Sequence, residues 1–134
     1  MGQPAAKQGD KIVGVDIHIV MVPTPAGEVP TPLPHPFAGT IDGGLSSNVK
    51  INGKPAATVS STATNSPKHI PTPPGTRFQK QPTDKATIQM GSFTVKINGK
   101  QAARMGDVAM TCNDPTDAPM GTVVTVGAPT VMIG

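Results

Sequence analysis

The chain has no tryptophan, no tyrosine and only three phenylalanines, and charged residues make up 14% of its 134 positions. So few aromatics leave nothing on which to build a large aromatic core or a base-stacking platform for single-stranded nucleic acid. A single cysteine, Cys112, excludes an internal disulfide. No apolar run approaches the roughly 20 residues that span a bilayer, and the N-terminus lacks a charged region followed by an apolar one. The expectation is synthesis in the cytoplasm without a Sec-type signal, so that export requires a dedicated machine. No segment combines a helical period with caps, which excludes a helical fold.

What the chain does have in quantity is proline and glycine, 16 and 15 residues. That composition alone falls in the range of disordered chains. Two features argue for a fold. The net charge is only +3, and β-branched aliphatics alternate with polar residues between the Pro-rich stretches. The length allows one domain, residues 1–134, with a core too small to be stable without a staple. With disulfides excluded, a metal remains. The sequence pI near 9.3 could point to nucleic acid, but the 11 lysines and arginines are scattered, and no nucleic-acid partner is expected.

One phrase occurs twice. Val49-Lys50-Ile51-Asn52-Gly53-Lys54 precedes an Ala56-Ala57 pair, and Val95-Lys96-Ile97-Asn98-Gly99-Lys100 precedes Ala102-Ala103. A third unit aligns through its alanines: Pro4-Ala5-Ala6-Lys7-Gln8-Gly9-Asp10 matches Pro55-Ala56-Ala57-Thr58-Val59-Ser60-Ser61 and Gln101-Ala102-Ala103-Arg104-Met105-Gly106-Asp107. Its hairpin half is not visible before Pro4. Internal repetition at this period points to three packed lobes.

In chain order, Lys11 to Val22 reads as a strand with Val13, Val15, Ile17 and Ile19 on its main apolar face and His18 opposite. The stretch 23–36, with prolines at 23, 25, 30, 32, 34 and 36, is expected to run as a polyproline-like loop holding His35. After a turn at 39–44, a strand over 45–51 leads into Asn52-Gly53, which signals a type I′ hairpin turn returning through 54–64. A second Pro-rich segment, 67–74, carries His69. A strand over 87–97 precedes the Asn98-Gly99 turn and a return through 101–105. Cys112 follows in a turn-like stretch, 110–119, and short strands over 121–126 and 130–133 flank Gly127-Ala128-Pro129.

The three histidines and the cysteine match no compact zinc-finger spacing. Counted from each alanine phrase they fall in phase: His18 lies 14 beyond Pro4, His69 14 beyond Pro55 and Cys112 11 beyond Gln101. His35 joins them from the first loop without a repeat counterpart. Lobes packed about a threefold axis would bring such ligands together, and mixed imidazole and thiolate suits zinc over iron. The seven methionines read as core filler and Gly9-Asp10 and Gly106-Asp107 as turns.

Pro4-Ala5-Ala6-Lys7 with Gly9-Asp10, Pro55-Ala56-Ala57-Thr58, and Gln101-Ala102-Ala103-Arg104 with Gly106-Asp107 resemble the proline-alanine-alanine-arginine (PAAR) repeat family over nearly the whole chain. No copy carries the full motif, and Ser60-Ser61 replaces Gly-Asp in the second, which resembles the family's PAAR-like branches. The resemblance implies a small pointed all-β cone of three pseudo-threefold repeats with one structural Zn2+ near the apex, held by His18, His35, His69 and Cys112. It further implies a non-enzymatic spike-tip protein that caps and sharpens a trimeric VgrG-type spike, one tip per trimer, in a contractile injection system such as type VI secretion or a phage tail-like particle. Transient contact with the target membrane, effector cargo as a further partner, and export on firing belong to the same expectation. With the sequence ending at Gly134, no effector extension is expected. The alternatives are a zinc-dependent hydrolase or a small secreted toxin domain. A hydrolase would need a general base, for which Glu28 is the one glutamate and Asp16 the acid nearest a ligand.

Overall fold

The structure, a computed structural model, describes residues 2–126 and 130–134, and among them there is no helix. The strands are β1 (Gln3–Pro4), β2 (Lys11–Thr24), β3 (Gly27–Gly43), β4 (Lys50–Ile51), β5 (Lys54–Pro55), β6 (Thr62–Asn65), β7 (Arg77–Phe78), β8 (Lys85–Ile88), β9 (Lys96–Ile97), β10 (Lys100–Gln101), β11 (Val108–Thr111), β12 (Ala118–Val124) and β13 (Met132–Ile133). The fold is the expected all-β cone of three lobes. Strands β2, β3, β6, β8, β11 and β12 pair antiparallel in that order, and β12 pairs back onto β2, so the six close into a ring. Closure removes the exposed edges that short strands otherwise leave. Where β12 meets β2, Gly14 faces Gly121, and a Cβ at Gly14 would run into the Met120 carbonyl.

The threefold axis is written in hydrogen bonds. Ala6 N donates to Ala103 O, Ala103 N to Ala57 O, and Ala57 N to Ala6 O, at 3.0, 3.1 and 3.0 Å, one closed circuit through all three repeats. A second circuit runs the other way, from Gln8 N to Pro55 O, Val59 N to Gln101 O and Met105 N to Pro4 O. After each alanine pair the chain turns identically. Asp10, Ser61 and Asp107 accept from the amides of Lys7, Thr58 and Arg104, and Gly9, Ser60 and Gly106 take φ of 90°, 82° and 90°. Glycine suits that left-handed conformation and Ser60 bears its strain.

Two apolar layers lie on either side of this collar. On the base side Ala5, Ala56 and Ala102 pack with Ile51, Ile97 and Ile133, one isoleucine per lobe. On the other side Ala6, Ala57 and Ala103 pack with Ile12, Phe37, Ile41, Ile88 and Val123, all buried. The expected hairpins at Asn52-Gly53 and Asn98-Gly99 are present, both asparagines at φ 53°. The third hairpin, which the sequence hides, pairs β1 with β13, so the two ends of the chain complete the first lobe. The Gly127-Ala128-Pro129 connection lies outside the described residues.

Several expectations are corrected. The stretch 23–36 is not a polyproline loop: most of it belongs to β3, paired with β2 in unbroken register from Thr24↔Gly27 to Lys11↔Thr40. From Gly27 to Pro34 that pairing is to β2 alone. Pro30, Pro32, Pro34 and Pro36 share one parity, and the Pro34 carbonyl and the Ala38 amide of that parity bond outward, to Thr72 and Asn65. Every missing proline N–H thus falls on the outer edge, where no ladder partner is deprived. The strand expected over 45–51 likewise shrinks to β4, because Ser46 turns the chain by bonding the Asn48 and Val49 amides. The strand expected over 87–97 divides in the same way into the end of β8 and β9, with Ser92 bonding the Thr94 and Val95 amides between them. The turn expected at 39–44 is mostly strand, since β3 runs to Gly43.

The prolines also protect the hairpin. Replacing Pro30 and Pro32 together by threonine should leave the β2 pairing intact yet add two outward N–H donors, producing concentration-dependent association by size exclusion with light scattering. A double variant that stays monomeric would show that the prolines do not guard this edge.

Candidate metal centre

On β2 the buried face is not the row of aliphatics. Ile12, Asp16, His18 and Val20 are each at most 1% exposed, whereas Val13 and Val15 are 38% and 47% exposed. The expected polarity of the strand is therefore reversed, because beyond the Phe37 level the interior is a polar cluster instead of hydrocarbon. β2 delivers Asp16 and His18, the 66–76 loop delivers His69, and Cys112 follows β11.

Asp16, His18, His69 and Cys112 are all buried, and one donor atom from each lies within 4.8 Å of all the others. Asp16 Oδ2 is 3.0 Å from His69 Nε2, 3.3 Å from Cys112 Sγ and 4.0 Å from His18 Nε2, and Cys112 Sγ is 3.6 Å from His18 Nε2. The backbone around them is pinned. His69 N donates to Asp84 Oδ1, while Asn113 Oδ1 and Asp114 Oδ2 accept from the Ile17 and Ile19 amides, holding the Cys112 segment against β2. Asp114 Oδ2 also stands 3.6 Å from His18 Nδ1, placed as an orienting carboxylate behind that ring. Phe37 flanks His69, and Phe78 lies against His18 and His35, centroids 6.0, 5.9 and 5.3 Å apart.

The electrostatics are those of a dry site. Burial, reinforced by the charge of His69, holds His18 below the ordinary histidine range, and burial does the same to His35. Burial and then the Asp16 carboxylate push the Cys112 thiol up to about 12. Asp16 ion-pairs only with His18 and His69, never with a lysine or arginine among the described residues. Asp16 Oδ1 and His18 Nδ1 are buried without a hydrogen-bond partner. A fully buried carboxylate whose Oδ2 faces two imidazoles and a thiol is a donor set that a cation would satisfy. The residues fit a tetrahedral transition-metal ion of the zinc type.

Of the four ligands expected from the sequence, the structure gathers His18, His69 and Cys112 in one group. His35 stands beside it, its ring centroid 5.4 and 5.7 Å from those of His18 and His69. Its Nδ1 donates to Leu33 O at 2.9 Å, and its Nε2 accepts from the Thr72 amide at 3.1 Å. Asp16 is the member sequence reasoning left outside the set. Its signal was local: an acid two residues before His18 on one strand shares that histidine's face.

The model of the family described as the PAAR motif matches residues 23–115. No curated protein matches the chain.

Proposed function

The chain belongs to the PAAR-motif family, whose members sit at the spike tip of contractile injection systems with VgrG, and on that premise we propose that it caps one trimeric spike as its structural point. The observation that carries this reading is the closed collar, in which one chain presents three hairpins, β4–β5, β9–β10 and β1–β13, about one axis. Three bridges complete it, Ala5↔Arg104, Lys7↔Ala56 and Thr58↔Ala102, each repeat touching the other two. A pseudo-threefold base matches a true trimer only when one copy sits on its axis.

The role is mechanical. Load along the axis falls on the closed six-strand ring and on the pinned loops above it, with few side chains free to flow. His18, His69 and Cys112 would hold a zinc ion where β2, the 66–76 loop and the Cys112 segment meet, and its binding energy would add to that of folding. The β2–β3 hairpin continues six residues past His18, Ile19 to Thr24, about 20 Å of strand that leads into the target envelope. A donor shell closed by four protein groups leaves no position for a reacting water, which favours the structural reading over a hydrolase. The protein leaves the cell as part of the injected particle.

Native mass spectrometry of the chain mixed with a VgrG-type trimer tests the stoichiometry. One copy per trimer is expected, and three copies per trimer would refute the axial docking.

A further inference from the structure

Resting on that metal reading, we propose that Asp16 and not His35 supplies the fourth ligand, so that the shell is Asp16, His18, His69 and Cys112. His35 is then a positioning residue that fastens the 66–76 loop to β3.

Geometry comes first. Zinc bonds of about 2.0–2.3 Å in a tetrahedron separate donor atoms by roughly 3.3–3.7 Å. The separations linking Asp16 Oδ2 to the other three donors, and Cys112 Sγ to His18 Nε2, run from 3.0 to 4.0 Å and straddle that range. All four atoms lie within 4.8 Å of one another. An ion placed among them would replace the contacts of Asp16 Oδ2 with His69 and Cys112 by bonds to itself, leaving no other group stranded.

His35 is committed elsewhere. The Leu33 carbonyl fixes the proton on Nδ1, which leaves Nε2 as acceptor, and that position is taken by the Thr72 amide. Thr72 Oγ1 donates to Pro34 O beside it, so the loop is laced to the outer edge of β3 at two adjacent points. Prolines 34 and 36 leave that edge no N–H with which to hold the loop, so the loop is fastened through acceptors, the Pro34 carbonyl and the His35 imidazole, with Thr72 as donor to both. Turning His35 Nε2 toward a metal would strand the Thr72 amide.

Charge is the second, independent argument. Asp16 is wholly buried without a permanent cation. With Asp16 and a deprotonated Cys112 as ligands, a divalent ion gives a neutral buried centre. With three imidazoles and one thiolate, the centre keeps a positive charge and Asp16 stays a separate buried anion. The first arrangement explains why the strand carries an acid at a fully buried position.

The test uses full-length protein loaded with zinc or cobalt. X-ray absorption of the wild type should count two imidazoles, one sulfur and one oxygen. Asp16→Asn should lose zinc affinity at least a hundredfold in competition with a chromophoric chelator. His35→Gln should keep one zinc per chain, affinity within tenfold and an unchanged cobalt spectrum, while the Thr72 amide exchanges faster. Three imidazoles in the wild type, or metal lost in His35→Gln and kept in Asp16→Asn, would overturn the assignment but leave the metal centre standing. A wild type that takes up no zinc removes the metal reading itself. The absorption count on wild-type protein decides the matter even if Asp16→Asn fails to fold.

Discussion

Ala103→Leu is expected to destabilise the protein by about 3 kcal/mol, the upper end of what overpacking costs, and to lower its melting temperature by roughly 10–15 °C. The reason is the double role of this residue. Its amide and carbonyl are both links of the alanine circuit, and its side chain is fully buried against the layer that holds Phe37 and Ile41. A larger side chain must push that layer or the circuit, and the circuit cannot yield on one side only, since each bond orients the next around the axis. The same growth at Ala26, exposed beyond the end of β2, should stay within about 0.5 kcal/mol of wild type. Denaturant titration of both variants gives the comparison. An Ala103→Leu midpoint that coincides with wild type would mean that the collar is pliable and that the axis does not organise the fold.

All three lobes were readable from the sequence by their alanine phrases, but only two of the three hairpins were. Asn52-Gly53 and Asn98-Gly99 form hairpins because their type I′ turns are specified by residues adjacent in sequence. The third hairpin is split between Gln3-Pro4 and Met132-Ile133, so no local signal marks it. Yet Val131 accepts from the Ala5 amide as Val49 and Val95 accept from those of Ala56 and Ala102. The spacing Val131-Met132-Ile133 repeats Val49-Lys50-Ile51 and could have shown it. The Pro-rich stretch was misread for a different reason. Proline excludes a central strand, but the parity of Pro30, Pro32, Pro34 and Pro36 is compatible with a strand paired on one side, and only the long register with β2 selects that outcome. The buried face of β2 was inverted because periodicity finds which residues share a face and not which face is inside. Val13 and Val15 share a face that stays partly exposed, while the other turns Asp16 and His18 inward.

Removing the metal should have the largest effect of all, and it should act unevenly. At a thousandfold excess of free metal over its dissociation constant, a ligand that binds only the folded state stabilises it by about 4 kcal/mol, which for a chain of this size is on the order of 10–20 °C in melting temperature. Chelation withdraws that contribution and leaves the fully buried Asp16 carboxylate facing only two imidazoles and a thiol, a further penalty within the metal-free state. The loss should concentrate where the donors come from separate segments. The 66–76 loop and the residues after Cys112 are held by side chains such as Asp84, Asn113 and Asp114, and should lose amide protection first. The collar, closed by backbone bonds among Ala6, Ala57 and Ala103, should keep its protection until global unfolding. Hydrogen exchange with and without chelator, together with melting curves, separates the two halves. Uniform loss of protection would mean that the centre and the collar form one cooperative unit. Unchanged melting after complete removal of a measured metal would mean that the centre does not staple the fold, and the stability of so small and aromatic-poor a core would have to come from the closed ring alone.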